Sequence, residues 1–130
     1  MAWHNTALMA AGVIGGGTAI IHGILMQRLV IRRIEALLGA NDAILRRLLP
    51  SLLHFTTFNW LLSGLALIAA ALWFGSDVQL AVSLFAGSSF LFGGLGALLG
   101  TRRPHPSWML MLSAVVLIVL GMGSAFVLPG

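Results

Sequence analysis

Residues 51–74 read SLLHFTTFNWLLSGLALIAAALWF. A helix of this length reaches about 36 Å at 1.5 Å per residue, enough to cross the roughly 30 Å hydrocarbon core of a bilayer. No Asp, Glu, Lys or Arg interrupts it. The polar side chains crowd into its first half as His54, Thr56, Thr57 and Asn59, with Trp60 beside them, whereas 61–72 is apolar apart from Ser63 and Gly64. Polar groups inside a membrane are costly and need partners, so this half-helix is the first place to look for a site.

The rest of the chain belongs to the same solvent. Of its 130 residues 59% are hydrophobic and only 8% charged, with a mean hydropathy of +1.04. An ordinary soluble domain carries about a quarter charged residues. The absence of cysteine excludes disulfides and thiolate metal sites. A net charge of +4 comes with seven basic residues, all Arg. They flank apolar runs, so they are read as membrane-topology signals and no nucleic-acid partner is expected.

Four spans are expected, at about 7–26, 52–74, 78–99 and 108–128. Trp3 suits an interfacial anchor, and the start lacks the basic n-region of a cleaved signal peptide. Gly12 and Gly16 in the first span, and Gly96 with Gly100 at the end of the third, form GxxxG pairs that let helix backbones approach closely. Residues 27–50, QRLVIRRIEALLGANDAILRRLLP, are the one sizeable extramembrane stretch, read as an amphipathic helical hairpin with Gly39 as a C-cap and Asn41 or Asp42 capping the next helix. Pro50 lacks the amide that a helix interior uses. The fold class is therefore all-α, a single four-helix transmembrane bundle.

Arg28, Arg32, Arg33, Arg46 and Arg47 lie between spans one and two, and Arg102 and Arg103 between spans three and four. The turn on the opposite side holds Asp77 and no Arg. By the positive-inside rule the arginines mark the cytoplasmic interface of a bacterial inner membrane, with both termini on the far side.

Two histidines fall inside spans. His22 precedes Arg28 by six residues and His54 follows Arg47 by seven. If both arginines mark one headgroup plane, both rings stand about 9–10 Å into the bilayer and can form one site. Thr18, Thr57, Asn59, Phe58 and Trp60 complete the expected ligand-binding set, with Phe55 as a further aromatic wall. Facing imidazoles could ligate the iron of a haem b, bind a transition metal, or act as a protonation switch. The plain alternative is that each ring hydrogen-bonds within the bundle. A hairpin pivoting at Asn41 would instead put the rings at levels about 9 Å apart.

In length and span count the chain resembles small multidrug transporters, but its first span holds no Glu. Thr56-Thr57-Phe58 and the glycine-rich first span resemble fluoride channels, whose motif lies in the third span. Succinate dehydrogenase anchors are similar in size, and their SxxHR-type motif is absent. None of these likenesses assigns a family. No carboxylate lies within a span and no Ser-His-Asp or Cys-His set can be drawn. The expected role is that of a non-catalytic accessory or assembly subunit of a larger membrane complex, or a homo-oligomer. A small-ligand or ion carrier or channel, and a haem-binding electron-transfer subunit using His22 and His54, are the alternatives.

Overall fold

The computed structural model describes residues 2–123. Four helices account for nearly all of them, and there is no strand among the described residues. Helix α1 is Trp3–Leu37, α2 is Ala43–Trp73, α3 is Ser76–Thr101 and α4 is Pro106–Met122. The first three are long and apolar enough to cross a membrane; α4 is shorter. Residues 124–128 of the expected fourth span lie outside the described residues. The helix α1 is continuous through the predicted headgroup plane, with a π-helical segment at Met26–Ile31. Helix α2 begins well before the expected span and runs through Pro50 unbroken.

The hairpin tip differs from its sequence reading. The C-cap of α1 is Leu38 in extended conformation (φ −76°, ψ 128°), and Gly39 has no positive φ. Two side chains hold the turn instead. The Arg46 guanidinium donates to Leu38 O at 2.7 Å and Gly39 O at 3.4 Å. Asp42 occupies the N-cap of α2, yet its carboxylate turns back to accept from Gly39 N at 3.0 Å. A cation on the last carbonyls of a helix satisfies orphan acceptors and opposes the helix dipole.

The helices form a four-cornered bundle: α1 and α3 each pack against both α2 and α4. The α1–α2 pair is the most intimate of these contacts and α2–α3 the least. Size sorting explains why. The interior is rich in small residues, among them Ala11, Ala19, Ala70, Ala86 and Ala114, while Val13, Leu65, Phe85 and Phe92 face outward. A water-soluble protein sorts the other way. Lipid tails solvate large apolar groups as well as a protein core does, so close backbone approach decides helix pairing in a membrane.

Three glycine contacts set the bundle. A Cβ built on Gly64 would lie 2.6 Å from Gly12 O and 2.8 Å from Gly16 N, so α1 and α2 touch backbone to backbone. Gly15 makes room for the fully buried Phe90, which reaches from α3 across the bundle. Gly93 makes room for Trp60. By contrast nothing among the described residues lies within 4 Å of a Cβ built on Gly96 or Gly100, so that expected packing pair meets none of the described helices. At the end opposite the arginines, Gln79 ties three elements. Its amide donates to Phe74 O at 3.0 Å and Ala70 O at 3.2 Å, capping α2, and reaches Asn5 Oδ1 on α1 at 3.4 Å.

Candidate functional site

Where α2 and α3 pack least tightly they leave a partly open groove of about 860 Å³. From α2 it takes Phe55, Thr56, Asn59 and Trp60. From α3 it takes Phe85, Ser88, Ser89, Phe92 and Gly96. His22 of α1 and Ser107 and Met111 of α4 close it behind. The α2 residues come one helical turn apart, and on α3 positions 85, 88, 89, 92 and 96 repeat at helical spacing, so each helix offers one face.

The floor is polar and hydrogen-bonded. Asn59 Nδ2 donates to Ser89 Oγ at 2.6 Å, the bond that joins α2 to α3 here. Ser63 donates to the Asn59 carbonyl at 2.7 Å, and Ser88 to the Leu84 carbonyl at 2.7 Å, as hydroxyls in apolar helices commonly do. The His22 ring stands against the Trp60 indole, centroids 4.8 Å apart and planes tilted by 56°. The rim is aromatic: Phe55, Phe85 and Phe92 are exposed, Phe92 at 84%. These residues lie within the apolar spans, so the groove opens sideways. Asn59 is twelve residues from Arg47 and Ser89 thirteen from Arg102. That puts the floor about 18–20 Å along each helix from Arg47 and Arg102, well inside the apolar stretches. Ser107, just past the basic loop of Arg102 and Arg103, marks the other end. No Asp, Glu, Lys or Arg lines the groove.

His22 and His54 each contact a different partner. Across the α1–α2 interface Gln27 meets His54, Oε1 to Nε2 at 2.8 Å, while His22 meets Trp60. The two contacts are five residues apart on α1 and six on α2, an offset of about 8–9 Å along the axis. That is the spacing of a hairpin turning near Asn41, and the loop at 38–42 is where the chain turns. Counting from Arg28 and Arg47 misplaces the rings because the two arginines do not share a level. His22 thus belongs to the groove and His54 to the α1–α2 seam. No group of three or more His, Cys, Asp or Glu that could hold a metal ion occurs among the described residues.

Of the other residues singled out in the sequence, Asn59 and Trp60 line the groove. Thr18 is buried and donates to Ile14 O at 2.7 Å within its own helix. Thr57 packs on Gly23 with a buried, unpartnered hydroxyl. Phe58 is exposed and lines no part of the groove. The α3 wall is absent from the sequence-based site. Phe85 and Phe92 bracketing Ser88-Ser89 on one helical face is the available signal, masked by the neighbouring glycines that read as packing. No protein-family model, curated protein or solved structure matches the chain.

Proposed function

We propose that the chain is a multi-pass protein of a bacterial inner membrane, a non-catalytic accessory subunit or homo-oligomer whose working part is the lateral groove, which takes a small ligand dissolved in the bilayer. The observation that carries this is the union of an exposed aromatic rim with a polar floor inside the apolar helices. Small-molecule sites are concave and largely apolar, with a few placed polar groups, and typically measure about 300–1,000 Å³. The groove has that size and that chemistry. Four membrane-crossing helices with both termini on the non-cytoplasmic side are part of the same reading, supported by all seven arginines falling between the first two and the last two expected apolar spans.

Access from the bilayer is the property to test. Trp3, Trp73 and Trp108 are replaced by Phe, leaving Trp60 as the only fluorophore, and the protein is placed in vesicles of mid-chain brominated phosphatidylcholine. Trp60 is 7% exposed. A closed bundle would shield it, whereas a groove open to the bilayer admits brominated tails and its emission falls strongly. Unquenched emission at Trp60 would rule out the lateral groove.

A further inference from the structure

Resting on that reading of the groove, we infer the chemical class of its occupant: a neutral, ring-headed lipid of the quinone type. Four observations narrow the choice. First, the lining is uncharged. An ionic head would give up its hydration there without a counter-charge. Second, the polar floor at Asn59 and Ser89 lies inside the apolar stretches of α2 and α3, about 18–20 Å along each helix from Arg47 and Arg102. A phospholipid head is pinned at the interface, so only its tails could reach that floor; a lipid whose head enters the bilayer interior can place polar atoms there.

Third, the floor offers both signs of hydrogen bond. Ser89 Oγ accepts from Asn59, which leaves the Ser89 hydroxyl proton to donate and the Asn59 amide oxygen to accept. A neutral His22 imidazole has one N–H to donate. Ring carbonyls are matched by the Ser89 and His22 donors, and the hydroxyls of a reduced ring by the Asn59 acceptor. Fourth, Trp60, Phe55, Phe85 and Phe92 give flat apolar walls on which a planar ring can stack in offset geometry. These same phenylalanines argue against a helix as the occupant. A helix is about 10 Å across and docks in membranes over small residues; α3 offers Ser88, Ser89, Gly93, Gly96 and Ala97, but the rim above carries the exposed Phe55, Phe85 and Phe92.

The test uses the Trp60-only protein in phosphatidylcholine vesicles with decylubiquinone added at rising mole fraction. Quinones quench indole, so a bound ring gives a saturable component above the linear collisional one. Ser89→Ala and Phe92→Ala should each raise the half-saturating mole fraction, Ser89→Ala by about fivefold to tenfold for a lost hydrogen bond. Phe92 is exposed, so its truncation leaves the bundle intact. Decylubiquinone should also relieve quenching by brominated phosphatidylcholine. A strictly linear response, or identical saturation in the wild-type background and Phe92→Ala, would overturn the assignment. If brominated tails quench Trp60 and decylubiquinone neither saturates nor competes, the groove stands and the quinone class falls. If neither probe reaches Trp60, both fall together.

Discussion

Gly64→Ala should separate the two helices that hold the bundle together. The new Cβ would stand 2.6 Å from Gly12 O, 2.8 Å from Gly16 N and 3.0 Å from Gly16 Cα. All three atoms are backbone, so no rotamer change relieves them. Ordinary contact begins at 3.4 Å, so α1 and α2 must part by about 0.8 Å at this level. A gap of that size forfeits a quarter to a half of the attraction of each atom pair it opens, each worth about 0.1–0.2 kcal/mol. Over roughly 40 pairs the loss is about 2 kcal/mol, within the 1–3 kcal/mol usual for overpacking. Lipid offers no opposing hydrophobic penalty to hold the helices together. The assay is equilibrium unfolding in mixed micelles titrated with dodecyl sulfate, followed by helical circular dichroism. Gly17→Ala is the control, since a Cβ there meets nothing within 4 Å; alanine's better helix propensity should leave it neutral or slightly more stable. Unfolding of Gly64→Ala within about 0.5 kcal/mol of wild type, or equal damage from Gly17→Ala, would refute this packing.

Asn59→Leu and Ser89→Ala should each lower stability by about 0.6–1 kcal/mol, the usual worth of an interhelical hydrogen bond in a membrane, and the double variant should lose less than the sum of the two, as a double-mutant cycle in the same unfolding assay will report. Arg102 caps α3 in the left-handed region at φ 47°; Arg102→Gly should therefore raise stability in that assay by about 1 kcal/mol, and the β-branched Arg102→Val should lower it. Arg46→Ala should expose the 38–42 turn by removing its hold on Leu38 O and Gly39 O, seen as faster hydrogen exchange at those amides with no change in the amides of α3.

The span pattern was legible because a bilayer imposes long uncharged runs and every described helix contains one. Gly12 and Gly16 were legible as a contact strip, but their partner Gly64 was not, because a single glycine in an apolar helix carries no directional signal. The groove was half legible. Asn59, Trp60 and His22 announced themselves as polar or aromatic groups in lipid-soluble sequence. The α3 wall did not, since Ser88 and Ser89 sit among glycines that pack equally well. The level of His22 relative to His54 turned on the choice of pivot: counting from Arg28 and Arg47 puts the rings level, and a turn at Asn41 puts them about 9 Å apart. Charged residues near a membrane surface follow no common plane, and the hairpin's turn at 38–42, pinned by Arg46 and Asp42, sets the level of every α1–α2 contact.

The chain contains no cysteine, so single cysteines can report position in cells without a background. Ala40→Cys, Ser76→Cys and Phe92→Cys mark the arginine-side turn, the opposite turn and the groove rim. With a membrane-impermeant maleimide, Ser76→Cys should label in intact spheroplasts and Ala40→Cys only after lysis. Phe92→Cys should resist that reagent in both and react with a bilayer-soluble maleimide. Labelling of Ala40→Cys from outside would reverse the orientation, and labelling of Phe92→Cys by the impermeant reagent would contradict a groove that faces lipid.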